Sequence, residues 1–226
     1  MKSYDELQNR TEKPLLVIGA GGMASNVFNV AQALNRKIAY FIHDKKADEL
    51  LFNVKILSSL SAIESVENYE IFIAIGDNYL RKKNQKKIAS HYPKLEFPSL
   101  IHPSVDVGFF TSIGLGSIIM PNSVIGANSI IEDFSIIGNL SCVGHDSIVG
   151  AYSSLSPGAI LAGNVKIGSC SMIGLGARVT ENVNVGNNSI VGANSLLNHN
   201  LDNNTIAYGT PAQVKRKRKH DDPYLK

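Results

Sequence analysis

From Ile101 to Leu197 every sixth residue is aliphatic, running through Val107, Ile113, Ile119 and Ile125 to Val179, Val185 and Val191 without a failure. About half of the residues in an ordinary chain are apolar, so an unbroken run of this length is a designed period. A period of six fits neither a helix at 3.6 nor a plain strand at two. It predicts a solenoid whose flat faces each take six residues. Glycine recurs directly after the aliphatic position, as Gly108, Gly114, Gly126, Gly138, Gly144, Gly150 and Gly168, where a corner would need a permissive backbone. A small residue sits two places before it, as Ser117, Ser123, Ser129, Ser135, Ser141 and Ala159, sized for the inside of a narrow corner. Three hexapeptides close a triangular coil of about 18 residues, and coils stack as parallel strands about 4.8 Å apart.

Upstream the pattern changes. Leu15, Leu16, Val17 and Ile18 form a continuous aliphatic run that suits a strand buried on both faces. Gly19, Ala20, Gly21, Gly22, Met23 and Ala24 follow, then a helical apolar pattern through Val27, Val30, Ala31 and Leu34. Glycines there let backbone approach a phosphate, and the helix start offers unpaired N–H donors. The plainer alternative is a glycine turn that only packs strand against helix. A second strand, residues 38–43, ends in Asp44, where a ribose-binding acid is expected; a third, 70–75, is closed by Gly76, Asp77 and Asn78 and opens a basic helix through Arg81 and Lys82. This β-α-β alternation over fewer than a hundred residues predicts half a Rossmann fold with a mononucleotide site.

The 226 residues therefore divide into an N-terminal extension (1–13), a nucleotide-binding α/β domain (14–98), a solenoid (99–214) and a basic tail (215–226). Cys142 and Cys170 lie within repeats without zinc-type spacing, which predicts reduced thiols in a cytoplasmic protein and no metal site. No apolar run reaches the 18 or so residues that span a bilayer, so no membrane insertion is expected. A net charge of +3 is too slight to argue for nucleic acid. Lys215, Arg216, Lys217, Arg218, Lys219 and His220 concentrate charge at the end, expected as a solvated, frayed tail or as counter-charge for a phosphorylated cofactor.

The aliphatic-Gly hexapeptide resembles that of the hexapeptide-repeat acyltransferases, whose fold is a left-handed parallel β-helix; the handedness is implied by the resemblance alone. The segments 74–83 (AIGDNYLRKK), Gly144-His145-Asp146, Ala162-Gly163-Asn164-Val165 and Gly209-Thr210-Pro211-Ala212 extend it. With Leu100-Ile101-His102-Pro103 at the domain junction, the chain resembles the sugar O-acyltransferase family that includes sialic acid O-acetyltransferases. Within it, the bacterial nucleotide-amino-sugar N-acetyltransferases are most similar.

That resemblance implies acetyl-CoA as co-substrate, a UDP-, dTDP- or GDP-linked amino-deoxy sugar as acceptor, a homotrimer, and a place in surface-glycan synthesis. Gly21 and Gly22 would line the phosphates; Asp44, Gly76, Asp77 and Asn78 would contact the nucleotide; Arg81 would add charge. Met23 and Ser154 depart from histidines that members carry at these places. His145 follows interior Val143 by two positions, which puts its side chain at a corner, and Gly163 lies one coil further on. Family chemistry makes His145 the general base, Asp146 its partner, and Gly163 the oxyanion donor, with Gly174, Gly192 and Ala193 along acetyl-CoA. Asp146 as a plain solvated residue, O-acetylation of a sialic-acid-like sugar, and a non-catalytic sugar-binding solenoid remain the alternatives.

Overall fold

A computed structural model describes residues 2–3, 13–219 and 221–222. Most of the expected N-terminal extension, and His220 with residues 223–226 of the tail, lie outside them. The first strand, β1 (Lys2–Ser3), is followed by β2 (Leu15–Ile18), α1 (Gly22–Ala33), β3 (Ile38–Ile42), β4 (Leu50–Leu51), β5 (Val54–Leu57), β6 (Glu70–Ile73) and α2 (Asn78–His91). The sheet runs in the order β4-β5-β3-β2-β6, parallel except for the β4–β5 hairpin. β2 and β6 are buried along their whole lengths, as continuous apolar runs require when helices or other layers cover both faces.

Beyond β7 (Leu100–Ile101) every strand through β23 (Leu196–Leu197) has two residues, and the chain closes with β24 (Thr205–Gly209) and β25 (Ala212–Lys217). These strands make three parallel stacks. Face 1 holds β9 (Ser112–Ile113), β12 (Ile130–Ile131), β15 (Ile148–Val149), β18 (Lys166–Ile167) and β21 (Asn184–Val185), with β1 antiparallel at its end; face 2 holds β7, β10 (Ile118–Ile119), β13 (Ile136–Ile137), β16 (Ser154–Leu155), β19 (Met172–Ile173), β22 (Ile190–Val191), β24 and β25; face 3 holds β8 (Asp106–Val107), β11 (Val124–Ile125), β14 (Cys142–Val143), β17 (Ile160–Leu161), β20 (Arg178–Val179) and β23. Register advances by 18 residues per coil, as in Ile119 against Ile137 and Val143 against Leu161. The sixth-residue column fills the interior, with Ile131, Ile137, Val143, Val149, Leu155 and Val191 fully buried.

The corners correct two readings of the repeat. The glycines after the aliphatic position are required by close approach and not by an unusual φ: a Cβ on Gly126 would stand 2.5 Å from the His145 nitrogen of the next coil. The left-handed backbone falls three residues after the aliphatic position instead, on Asn128, Asp146, Asn164 and Asn182 along one edge, a conformation Asn and Asp tolerate better than most. The small residues do more than fit. Ser123 Oγ donates to Gly138 O at 2.8 Å, and Ser117 Oγ accepts from Ser135 N at 3.0 Å, so the hydroxyl satisfies backbone groups sealed inside the corner.

After Leu197 the coils continue with two residues fewer, Leu201 bridging Val185 and Ile206 pairing with Ile190. The basic segment, expected as a frayed tail, is not frayed over its described residues. β25 pairs antiparallel with β24, Arg216 binds Asp222 at 2.9 Å, and Arg218 is buried against Asn188 Oδ1 at 2.5 Å. The basic run thus forms the last strand of face 2, where its charged side chains blunt the sheet's edge.

Face 2 also carries the α/β domain. Its outward-pointing Leu100, Ile118 and Ile136 are buried with Ala24, Val27, Ala31 and Phe72 in one cluster. On faces left uncovered the equivalent residues, such as Val124 and Ile160 on face 3, are exposed. Phe134 and Tyr152, on the edge joining face 1 to face 2, stack at 5.3 Å against the other side of the domain.

Candidate active site

A groove of about 890 Å³ opens at the carboxyl ends of β2, β3 and β6, the place where parallel sheets bind ligands. Gly21, Gly22, Asp44 and Gly76 line it, as does Met23. Gly21 caps α1 with no side-chain hydrogen bond, and the helix has no acidic residue in its first turn. Its N–H groups and partial positive charge therefore face the groove unneutralised, which suits a phosphate. Asp44 stands at the rim with its side chain 80% exposed.

The rest of the expected nucleotide contacts lie elsewhere. Asp77 caps α2, accepting from Leu80 N at 2.9 Å. Asn78 and Arg81 are each 1% exposed. Arg81 donates to the carbonyls of Ile75, Gly76, Phe134 and Tyr152 at 2.8–2.9 Å and to Asn78 Oδ1 at 2.8 Å. Ser154 Oγ donates to the same Asn78 oxygen at 2.7 Å, and Asn78 Nδ2 reaches Ser171 O. A basic residue at the start of α2 reads as ligand charge in sequence. Here it is a strut that binds the α/β domain to the coils, its guanidinium donating to the coil oxygens of Phe134, Tyr152 and Ser154.

Sequence reading missed other groove residues. Lys46, at the end of a 3-10 turn after β3, places Nζ 3.2 Å from Ala20 O, against the glycine turn. Ser58, Ser59 and Ser61 line the opposite wall, and α2 contributes Leu80, Asn84, Lys87 and His91. The 4-3-4 spacing of those helix residues marks one face and is the signal that was there to be used.

His145 lies far from this groove along the chain's own cross-section. It sits on the edge joining face 3 to face 1, opposite face 2. Its Nδ1 is 2.7 Å from Asp146 Oδ2, with the imidazole 66% and the carboxylate 52% exposed. The hydrogen bond from His145, and after it one from Asn128, hold the Asp146 carboxyl below the ordinary carboxylate range. Asp146 is therefore ionised at neutral pH and accepts, so Nδ1 is the donor of this hydrogen bond and Nε2 is turned away from the carboxylate. A Cβ on Gly163 would fall 2.5 Å from Nε2. The imidazole thus lies directly over the Gly163 backbone, whose N–H has no acceptor among the described residues.

Gly174, Gly192 and Ala193 do not share this edge. They follow β19 and β22, on the edge joining face 2 to face 3, where Tyr208 packs over Gly192 and Lys215 lies 5.2 Å from the Tyr208 ring. One chain therefore does not bring them to Gly163. Cys142, beside His145 in sequence, has its thiol pushed up by burial, which leaves it a poor nucleophile at neutral pH. Among the described residues no cluster of His, Cys, Asp or Glu is placed to hold a metal, and no helix is long and apolar enough to cross a membrane.

A half-Rossmann domain mounted on a hexapeptide β-helix with a His–Asp pair on its edge defines the class of hexapeptide-repeat acyltransferases. Residues 14–88 match the family of the PglD N-terminal domain. PerB from Caulobacter crescentus, solved with CoA and GDP-perosamine, is 32% identical with a TM-score of 0.84 over 90% of this chain and 97% of its own. The acetyltransferase domain of PglB from Neisseria gonorrhoeae, solved with acetyl coenzyme A, is 32% identical with a TM-score of 0.83 over 90% and 99%. WeeI from Acinetobacter baumannii, at 24% identity and a TM-score of 0.83 over 89% and 99%, shares the fold. The chain belongs to the nucleotide-amino-sugar N-acetyltransferase family. It is an acetyltransferase with the family's left-handed β-helix.

Proposed function

We propose that this enzyme transfers an acetyl group from acetyl-CoA to the amino group of a nucleotide-linked amino-deoxy sugar, with His145 as general base. The observation that carries it is the His145 imidazole, tied to Asp146 at 2.7 Å and lying over Gly163. The sugar nitrogen attacks the thioester carbonyl carbon while Nε2 takes its proton, and Asp146 balances the imidazolium. The Gly163 N–H supports the oxyanion. Collapse breaks the C–S bond, and the proton passes from His145 to the departing thiolate.

Residues 14–98 hold the nucleotide sugar at Gly21, Gly22, Asp44 and Gly76, and residues 99–214 carry the transfer chemistry. Because the domain that carries the groove packs on face 2 and His145 lies on the opposite edge, the sugar held by one protomer reaches the histidine of another. In the same arrangement Gly163 of one chain would stand beside Gly174, Gly192 and Ala193 of its neighbour, with acetyl-CoA between them. This favours a homotrimer. Lys215 and its neighbours on β25 lie on that second edge, suited to a phosphorylated cofactor. Substrates of this kind fit a cytoplasmic step in surface-glycan synthesis.

Replacing His145 by Ala tests the reading. Turnover should fall about a hundredfold or more, the usual scale for a lost general base, while nucleotide-sugar affinity changes little. Equal turnover in the variant removes His145 from the mechanism. A thermal-shift panel of UDP-, dTDP- and GDP-linked amino sugars identifies the acceptor, since a bound ligand raises apparent stability by mass action.

A further inference from the structure

The left-handed corner positions on the His145 edge form a column of Asn128, Asp146, Asn164 and Asn182. Side chains in this column bond from coil to coil: Asn164 Nδ2 donates to Asn182 Oδ1 at 2.6 Å, and Asn128 Nδ2 donates to Asp146 Oδ1 at 3.2 Å. The first of these rungs holds nothing but the corner. In the second, the acceptor is a carboxylate whose other oxygen, Oδ2, takes His145 Nδ1.

We infer that Asn128 is a positioning residue for the reaction, acting through Asp146 to fix the orientation and tautomer of His145. The inference rests on the reading of His145 as the base. Asp146 is half exposed, and a carboxylate so placed would rotate among hydrated orientations. Its backbone is pinned by Asp146 N donating to Ala127 O at 2.9 Å, and that of Asn128 by its N–H donating to Phe109 O at 3.0 Å. With both backbones held one coil apart, the Asn128 amide selects the rotamer in which Oδ1 faces down the column. Oδ2 is then left toward the imidazole. The groups acting on this carboxyl are His145 and Asn128. An amide at 128 supplies a donor and no charge, so it orients the carboxylate without competing for the imidazole proton.

The experiment compares Asn128→Ala, Asn128→Asp and the control Asn164→Ala, which breaks a rung without chemistry. In ¹⁵N-histidine NMR of the full chain, His145 of the wild type should be mainly the Nδ1–H tautomer. Asn128→Ala should mix the tautomers and raise the pH at which Asp146 protonates. Asn128→Asp should raise that pH further, since a second carboxylate opposes ionisation. Asn164→Ala should leave both unchanged. With acetyl-CoA and GDP-perosamine as probe substrates, kcat of Asn128→Ala should fall on the order of threefold to tenfold at constant KM, as one hydrogen bond allows. Wild-type tautomer and titration in Asn128→Ala overturn the proposal, as does an equal effect in Asn164→Ala. His145→Ala separates the two ideas: full turnover there sinks the base assignment itself, whatever Asn128 does to the imidazole, whereas full turnover in Asp146→Asn overturns only the role of Asn128.

Discussion

Arg81 Nε donates to the carbonyl oxygen of Phe134 at 2.8 Å, 53 residues away and in the other domain. The same guanidinium holds Ile75 O and Gly76 O at the groove, so one side chain ties the turn after β6 to the β-helix. Replacing Arg81 by Met should leave several buried carbonyls without donors, costing about 3 kcal/mol or more. Lys should restore only part of this, because one ammonium cannot span the fork. Urea unfolding of the three proteins checks the order, and stability equal to wild type in the Met variant contradicts it.

Lys46, and not Arg81, is the cation set against the glycine turn, its Nζ 3.2 Å from Ala20 O. Lys46→Met should raise KM for the nucleotide sugar about tenfold, the loss expected for one charge-assisted hydrogen bond, with kcat little changed. The effect should shrink for a free nucleoside, which has no phosphate to lose. Isothermal titration with nucleoside and nucleoside diphosphate distinguishes the two cases.

Gly163→Ala sets a methyl 2.5 Å from His145 Nε2. The imidazole is exposed and can swing away, so the fold should survive while the base is displaced. Turnover should fall about tenfold to a hundredfold, as small misplacements do, with a melting temperature near that of the wild type. Unchanged turnover would mean that His145 does not work from this position.

The lowered Asp146 pKa carries a stability prediction. A carboxyl whose folded pKa lies below its unfolded value contributes stability above the ordinary carboxylate range and loses it as pH falls through the folded value. Melting curves of wild type and Asp146→Asn should therefore differ at neutral pH and converge in acid. The difference should be small, since the group is solvated and screened.

The three-faced β-helix was legible because its interior column repeats on a fixed period: each coil needs one aliphatic residue per face, and Val143 or Leu155 announces that need wherever it stands. The glycine turn at 19–22 and the corner position of His145 were legible for the same local reason. Local spacing had no means to separate the resemblance's placing of Arg81 and Asn78 at the nucleotide from their burial between the domains, because a basic helix start looks alike whether it meets a phosphate or the carbonyls of Phe134 and Tyr152. It also read the corner serines by size alone, since the acceptor for Ser123 lies in the next coil.

Sequence by itself determined the strands, the corners and the residues capable of chemistry, all of which depend on neighbours within one coil or one helix turn. Tertiary structure decided which of them meet. It packed the groove-bearing domain on face 2 and left His145 on the far edge, buried Arg81, and laid the imidazole over Gly163. The choice of packed face and partner backbone is made by residues tens of positions away, and no local period records it.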